Sequence, residues 1–574
     1  MPICESDPAS EEYADFIVQY ASWDPGQLKE RAGTECIHFI SANYAVIHVR
    51  LDRIAPMSIY RYSYNAIPKL YGLLDITALE SSGIPEAVNH PNLQANGKGV
   101  ILGIIDTGID YTNPLFRNPD GTSRILSIWD QTIFSGELPE RQDTNRPFYG
   151  SIYNQDQINE ALKQEDPFAS VPTRDTDGHG TFLAGTAAGN AISQPFSFSG
   201  AAPESDLAIV KLKPAKQYLR DFFLIPPGVP AFQENDIMSG IRFLQNVASA
   251  YLRPLVILLG IGTSQGSHDG SSPLGFQLRS LRGLVGLSVV TGAGNEVGYH
   301  HHFFGSVSAD TPYEDVELRV AEHDPGFCLE FWADGPELYT IGFHSPSGET
   351  VEQIPLTLGS ETVIPFRLDA TRITVNYQLY EAGSGNQLIF MRFQTPMHGI
   401  WHIRVRPASG FGGRFHMWLP LHNFIADDTI FLRPNPDTTI TDPGNVPTVL
   451  TAGAYNHTND SIYIHSSRGY SSDGQVKPDL AAPGVDVQGP SPASDSPTPR
   501  FTRRTGTSVA AAITAGAAAD LLSWSITGKN DETATGLSIK SQLIRGADRN
   551  PSLSYPNREW GYGTLNLYRS FTGL

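Results

Sequence analysis

Three short segments of the chain carry side chains that could together cleave an amide bond. Asp106 follows the apolar run 100–105, His179 lies between two glycines, and Ser508 stands near the start of a helix of small residues. A serine hydroxyl is a poor nucleophile until a neighbouring base takes its proton, and an imidazole can be that base. A carboxylate at the end of a buried strand can hold the imidazole in orientation. These residue types therefore indicate nucleophilic acyl transfer.

Each of these residues also has an ordinary structural interpretation. Asp106 could form a turn, a lone histidine such as His179 is more often structural, and Ser508 could cap its own helix. Asp110 lies beyond the strand and has a stronger claim to a structural role than Asp106. Catalysis is favoured because an Asp, a His and a Ser all stand at strand or helix ends of one α/β pattern, in that order.

Apolar runs that alternate with helical stretches predict the fold that positions these residues. Buried parallel strands connected by crossover helices give such a pattern, which indicates a doubly wound α/β domain formed by residues 76–303 and 433–574. Between them, residues 304–432 change to short alternating strands separated by turn residues, which predicts an inserted all-β sandwich or jelly roll. Residues 1–75 predict a compact α+β unit, and residues 79–88 an exposed connection.

Composition and charge exclude several classes of protein. The chain has 574 residues, 40% of them hydrophobic, so we expect more than one core. Its 40 basic and 60 acidic side chains give a net charge of −20, which disfavours nucleic acid and anionic lipid as partners. No apolar run approaches the ~18–20 residues of a membrane span, and no signal peptide is recognisable. We therefore expect a protein inside the cell that binds no nucleic acid and no membrane.

The cysteines and a run of histidines indicate neither a disulfide scaffold nor a metal site. Cys4, Cys36 and Cys328 show no CxxC spacing and no paired framework, so we expect buried or unpaired thiols. The run 300–302 consists of three histidines, but three adjacent side chains cannot all face one ion from a single strand or helix. We therefore predict no metal and no other cofactor.

The segments around the three candidate residues resemble those of the subtilisin-like serine peptidases. The sequences IIDTGID, DGHGT and GTSVAAA each reproduce several neighbouring residues of that family, and the likeness covers the predicted α/β domain. The resemblance implies that Asp106 orients the imidazole, that His179 acts first as base and then as acid, and that Ser508 attacks the scissile carbonyl.

Two further sites follow only from this resemblance. Asn295, in the segment TGAGN, is similar to the family's oxyanion-hole amide, which would donate to the tetrahedral intermediate. Residues 256–262 resemble the edge strand that pairs with extended substrate. The family's usual Asn-Met-Ser-Leu-Gly is replaced there by a segment that ends in Gly260, Ile261 and Gly262, so the subsite preference is left open.

The N-terminal unit, the segment Gly121–Thr132 and the β insertion together look like the Csp germination proteases of spore-forming Firmicutes. That group carries a prodomain, a subtilase domain and a jelly roll, and it acts in spores on the zymogen of a cortex-degrading hydrolase. Some members have lost triad residues, and the presence of all three here favours an active enzyme.

The resemblance thus implies a monomeric serine endopeptidase made as a zymogen. It would be cut near residue 75, keep its own prodomain in the cleft, and act on a protein or peptide substrate. Two alternatives stay open. One is a signalling or scaffold protein whose prodomain plugs the cleft, and the other is a secreted subtilase of broad specificity.

Overall fold

A computed structural model describes nine stretches of the chain, which are residues 3–20, 25–74, 96–136, 146–192, 197–308, 311–356, 360–408, 412–492 and 499–572. The connection expected at 79–88 lies outside the described residues. The described chain has three parts. The N-terminal unit is residues 3–74, the insertion is residues 302–431, and the catalytic unit is the remainder of the described chain.

The N-terminal unit is a small antiparallel sheet with a helix on one face and an extended tail. Its three-stranded sheet has the order β1-β3-β2, and Leu28 of the helix α1 packs against it. The opposite face of the sheet packs on the catalytic unit. The elements of this unit are β1 (Tyr13–Gln19), α1 (Pro25–Ala32), β2 (Ile37–Phe39), β3 (Tyr44–Arg50), α2 (Ile59–Tyr62) and β4 (Leu70–Leu73).

A disulfide bond joins Cys4 to Cys36 within this unit, so the expectation of unpaired thiols is wrong for these two residues. They are separated by 32 positions. Such a spacing carries no local signal, because only the folded sheet brings the chain start beside β2. Cys328 is a free, buried thiol, and burial raises its pKa to about 12.

The first half of the catalytic unit alternates strands and helices, as the sequence predicts. Its elements are β5 (Ile101–Asp106), β6 (Ile125–Asp130), β7 (Ser151–Asn154), α3 (Gln155–Ala161), α4 (His179–Ala188), β8 (Asp206–Lys211), α5 (Gln217–Phe223), β9 (Phe232–Gln233), α6 (Glu234–Tyr251), β10 (Leu255–Leu259), β11 (Ile261–Gly262), α7 (Pro273–Ser280) and β12 (Leu287–Gly292).

The insertion consists of two antiparallel sheets that enclose one apolar core. Its strands are β13 (His302–Val307), β14 (Glu314–Val320), β15 (Gly326–Ala333), β16 (Tyr339–His344), β17 (Thr350–Val351), β18 (Glu361–Pro365), β19 (Arg372–Gln378), β20 (Gln387–Gln394), β21 (Gly399–Pro407), β22 (Gly413–Trp418) and β23 (Ile430–Phe431). One sheet has the order β13-β22-β15-β20-β19-β18, and the other has the order β17-β16-β21-β14-β23.

The second half of the catalytic unit completes the large sheet. Its elements are β24 (Leu450–Asn456), β25 (Ser461–Ile462), β26 (Leu480–Pro483), β27 (Val487–Ser491), β28 (Arg500–Arg504), α8 (Thr507–Leu522), α9 (Gly536–Gly546) and α10 (Leu567–Thr572). Short 3-10 turns occur at Leu51–Arg53, Pro114–Phe116, Pro167–Ala169 and His422–Phe424, and a π-helical turn, Ser523–Thr527, extends α8.

Nine strands form the central sheet in the order β25-β24-β12-β10-β5-β8-β6-β7, with β26 beside β24. The sheet is mixed, because β7 and β25 pair antiparallel at its two ends, whereas the inner strands are parallel. Alternate residues of β5 enter different cores, Leu102 on the face of α4 and α8 and Ile101 on the face of α6. Helices therefore cover both faces, as a doubly wound fold requires.

One helix is long and apolar enough to cross a membrane by length and composition, which corrects the expectation that no segment approaches that length. It spans Thr507–Thr527, and 89% of its apolar window is buried inside the protein. The helix contacts the central strands β10, β12 and β24. Burial of this degree is typical of a core helix, and Ser508 lies at its first turn.

Candidate active site

Asp106 and His179 meet at the carboxyl end of the central sheet. Asp106 is the last residue of β5, and His179 is the first residue of α4. Their Oδ1 and Nδ1 atoms lie 2.7 Å apart. Gly178 precedes His179 with φ of +88°, a conformation that glycine adopts without steric cost. This turn lets the imidazole face the carboxylate at the start of a rigid helix.

Asp175 holds the segments that carry Asp106 and His179 in place, although no pattern in the sequence indicates this role. One of its oxygens accepts hydrogen bonds from the Thr107 hydroxyl and the Gly178 amide at 2.9 and 2.8 Å. The other accepts from the Thr181 amide and hydroxyl at 2.8 and 2.7 Å. Asp175 therefore fixes the loop after β5 to the start of α4, and so acts as a positioning residue.

Ser508 completes the array from α8, which packs beside α4 on the same face of the sheet. It is the second residue of α8, and its Oγ lies 3.4 Å from Nε2 of His179. The exposed fractions of Asp106, His179 and Ser508 are 0%, 2% and 0%. The structure thus brings together three residues that lie far apart in the sequence and buries all of them.

Asn295 lies in the loop after β12, beside the start of α8. Its Oδ1 accepts a hydrogen bond from the Thr507 amide at 3.1 Å. Its buried Nδ2 has no hydrogen-bond partner among the described residues. An amide whose carbonyl is fixed and whose N–H donors are unused can donate to negative charge that develops beside the serine.

Residues 255–259 form a central strand of the large sheet, so the interpretation of the whole segment as an edge strand is wrong. β10 lies between β5 and β12. Only β11, which follows it, leaves the sheet and pairs with another segment. The apolar run could not reveal this, because central and edge strands of a covered sheet look alike in sequence.

The partner of β11 is the tail of the N-terminal unit, which is residues 69–74. Ile261 pairs antiparallel with Leu73 and Gly262 with Gly72, and the Leu74 amide donates to the Gly260 carbonyl at 3.1 Å. The three predicted substrate-binding residues therefore hold an extended chain through their main-chain groups.

Gly260 also approaches the catalytic pair closely. A Cβ atom at this position would lie 2.6 Å from Oδ2 of Asp106 and 3.0 Å from Cε1 of His179. No side chain fits there without displacing the carboxylate. The departure from the family's usual residues thus places a glycine, where the family usually has serine, at the point where the groove touches the site.

The Leu74 carbonyl of the tail lies beside the reactive groups. Its oxygen lies 2.7 Å from Nε2 of His179 and accepts a hydrogen bond from the Ser508 hydroxyl. The carbonyl is therefore placed next to the nucleophile while the residues before it are paired in the groove. The chain itself thus occupies the place beside the nucleophile that a peptide would take.

The electrostatics of His179 suit a general base. Burial alone lowers its pKa, but the charge and hydrogen bond of Asp106 raise it, and the hydrogen bond to the Leu74 carbonyl adds to the increase. The net pKa is above the ordinary value of 6.5. Since the base must be neutral to take the serine proton, catalysis should decline as the pH falls through this raised pKa.

The described residues contain no group of three or more His, Cys, Asp or Glu side chains that could hold a metal ion. Of the three histidines at 300–302, the first is exposed and the other two are buried. Nε2 of His302 lies 2.8 Å from Nδ1 of His416 in the adjacent strand, so this ring is engaged within the insertion.

A Ser–His–Asp array at the edge of a mixed α/β sheet, with an extended chain paired beside it, defines a serine peptidase site of the subtilisin type. The subtilase family profile matches residues 97–226, before the insertion, and residues 427–563, which begin in the last residues of the insertion. The chain belongs to the subtilase family of serine endopeptidases.

Known subtilases resemble this chain in sequence and in structure. The CspB protease of Clostridium perfringens superposes with a TM-score of 0.73 at 31% identity, covering 85% of this chain and 95% of that one. The subtilisin-like protease SBT2.2 of Arabidopsis thaliana is 32% identical over 144 residues, 22% of this chain and 16% of its own length. A C5a peptidase of Streptococcus pyogenes is 21% identical over 450 residues, 73% of this chain and 35% of its own length. The matches therefore span well under half of these two curated relatives.

Proposed function

We propose that the protein is a serine endopeptidase, made as a zymogen, that cleaves its own chain between Leu74 and Asp75. One observation carries the proposal. The Leu74 carbonyl accepts a hydrogen bond from Ser508 and lies 2.7 Å from Nε2 of His179, while the Leu74 amide donates to the Gly260 carbonyl. This geometry supports the bond after Leu74 as the one that is cut.

In the proposed mechanism, the hydroxyl of Ser508 attacks the Leu74 carbonyl carbon while His179 takes its proton. Asp106 stabilises the imidazolium that forms. The oxyanion accepts hydrogen bonds from the Asn295 side chain and from the Ser508 amide. His179 then donates its proton to the leaving amine of Asp75, and a water molecule, activated by the same imidazole, releases Leu74 as a carboxylate.

The N-terminal unit would then remain in the cleft as a prodomain. The buried ammonium of Lys216 donates to Pro8 O at 2.8 Å, to Tyr13 O at 3.0 Å and to Asp15 Oδ1 at 2.8 Å. All three donors of this lysine are thus satisfied by the N-terminal unit. Cutting the bond after Leu74 removes none of these contacts, nor the pairing of β4 with β11.

The physiological substrate is proposed from the likeness to the Csp proteases. In that group a prodomain precedes the subtilase domain and a jelly roll is inserted in it, and here the N-terminal unit and the β-sandwich have the same places. We propose cleavage of the proform of a spore cortex hydrolase during germination, by a monomeric enzyme inside the spore. The TM-score of 0.73 to the CspB protease supports this branch.

A scaffold protein plugged by its prodomain would show the same filled cleft but no bond cleavage. The Ser508→Ala variant therefore tests the proposal, with Ser461→Ala, an exposed serine, as the matched control. Both variants are made by translation in vitro without other proteases. We expect the control to yield two fragments and Ser508→Ala to stay a single chain, because losing one triad residue removes several orders of magnitude in rate. Processing of both variants, or of neither, would overturn the proposal.

A further inference from the structure

The tail residues 69–74 show which side chains the groove accepts, provided that the proposed cleavage after Leu74 is correct. β4 lies between two strands, paired with β11 on one side and with β9 on the other. Counted back from the scissile bond, Gly72 is the third residue and Tyr71 the fourth. Both are buried, so the groove encloses them rather than leaving them in water.

Tyr71 reaches a buried carboxylate. Its hydroxyl donates to Oδ2 of Asp442 at 2.7 Å, and the ring is fully buried. The Ser272 hydroxyl donates to the same oxygen at 2.9 Å. The main chain of Asp442 exchanges hydrogen bonds with Thr263, one residue beyond β11, at 2.9 and 3.0 Å. The carboxylate is therefore fixed to the strand that binds the substrate main chain.

A phenylalanine at the position of Tyr71 would remove one of the hydrogen-bond donors to the Asp442 carboxylate. Asp442 is only 4% exposed, so water cannot easily replace the missing hydroxyl. Sites built to bond a substrate hydroxyl reject analogues that lack it far more strongly than apolar pockets reject a missing methylene. The chemistry of this subsite therefore favours tyrosine over phenylalanine and over aliphatic residues.

Gly72 lies under two side chains of the insertion. A Cβ atom at this position would be 2.9 Å from Cδ1 of Leu421 and 3.4 Å from Cζ of Phe424. Leu421 is 2% exposed and packs in an apolar cluster with Leu388 and Phe390, so it has little room to move. A glycine fits at this subsite, and larger residues require Leu421 to shift.

We propose that the groove selects substrates that carry glycine three residues and tyrosine four residues before the scissile bond, and that Leu421 and Asp442 are the residues that make this selection. The substrate class is thus an extended peptide with a Tyr-Gly pair ahead of the cut. The insertion, through Leu421, takes part in specificity although it supplies no triad residue.

The rate at which the full chain is processed measures this selection directly. Rates are followed after translation in vitro for the natural chain, for Tyr71→Phe, and for the control Tyr60→Phe, which makes the same change at a tyrosine that is 49% exposed. We expect Tyr71→Phe to be processed about 10-fold more slowly, because a buried hydrogen bond to a carboxylate is lost and the chain is held less firmly in register. Tyr60→Phe should match the natural chain.

The pH dependence separates selection from a general loss of structure. Burial raises the pKa of Asp442 to about 6, the hydrogen bonds of Tyr71 and Ser272 oppose this, and the nearby charges of Glu234 and Lys69 act in opposite directions. The ratio of the processing rate of the natural chain to that of Tyr71→Phe should be largest at about pH 8, where the carboxylate is ionised. It should be smaller at about pH 5. The titration of His179 affects both chains equally and cancels in the ratio. In an Asp442→Asn background the ratio should no longer depend on pH.

A second pair of variants keeps the proposal testable if Tyr71→Phe folds poorly. Gly72→Ala should slow processing several-fold, and Leu421→Ala in the same chain should restore it by removing the obstructing methyl group. Equal rates for Tyr71→Phe and the natural chain, or no rescue by Leu421→Ala, would overturn the selection. Failure of the natural chain to be cut after Leu74 would instead overturn the proposed function.

Discussion

The N-terminal unit and the insertion both cover the catalytic unit, but different interactions hold them. The N-terminal unit meets it through buried charges, with Lys216 bonded to Asp15 and Asp15 bonded in turn to His48 at 2.8 Å. The insertion meets it through an apolar cluster in which Leu388 and Phe390 pack near Leu219. Apolar packing contributes to both contacts, and a fully buried ion pair between Lys216 and Asp15 is added at the N-terminal one.

The difference between the two contacts follows from how each part is joined to the catalytic unit. The insertion is joined to the catalytic unit at both ends, so a non-directional apolar contact is enough to hold it. The N-terminal unit would lose its covalent link after processing. A buried ion pair then fixes one orientation, because any shift leaves a charge buried without its partner.

The largest expected effect comes from removing the ammonium at the N-terminal contact. Lys216→Ala leaves Asp15 buried without its main partner, which should weaken retention of the processed unit by about 4 kcal/mol, roughly a thousandfold. We expect the two fragments to separate in gel filtration. The control Lys163→Ala removes an exposed ion pair and should leave the fragments together. Co-elution of the Lys216→Ala fragments would show that charge does not hold this contact.

A smaller effect is expected from the apolar contact of the insertion. Leu388→Ala removes a fully buried side chain and should lower the free energy of unfolding by about 3 kcal/mol. The fragments should nevertheless stay together, since the charged contact is untouched. Leu368→Ala, at a leucine that is 69% exposed, is the matched control for urea unfolding. Fragment release by Leu388→Ala would erase the distinction between the two contacts.

Acid is also expected to loosen both contacts. Burial lowers the pKa of His38 to about 3 at the N-terminal contact, and of His416 and His268 to about 3 and about 4 at the insertion. The unfolded chain binds protons below about 6.5, where these folded histidines stay neutral, so stability should fall as the pH drops from about 6.5 towards 4. Asp442 opposes this between about 4 and 6, because its folded pKa is raised.

Urea unfolding at about pH 7 and about pH 5 measures this balance. His38→Phe, which keeps the ring stacked on Phe148, should flatten the pH dependence, whereas His323→Asn, at an exposed site, should not. Equal stability at the two pH values would contradict the histidine account.

The motifs around the reacting groups made much of the catalytic unit predictable. Asp106, His179 and Ser508 each follow or begin an element with a strong local pattern, and the carboxyl ends of parallel strands meet at one edge. The alternating segments of the insertion likewise lie in strands such as β14 and β21, because a half-buried strand shows its period in the sequence.

The features that depend on contacts between distant segments could not be predicted. Asp175, Asp442 and Lys216 are isolated charged residues, and only the fold shows that each meets a buried partner. The Cys4–Cys36 bond and the filling of the groove by residues 70–74 are of the same kind. Local patterns report burial and period, but they do not report which segments meet.

The central claim is that Ser508 cuts the bond after Leu74, and intact mass of the purified full chain tests it most directly. The account predicts one fragment that ends at Leu74 and one that begins at Asp75, with a single full-length mass for Ser508→Ala. A boundary at another residue, or the same two fragments from Ser508→Ala, would contradict it.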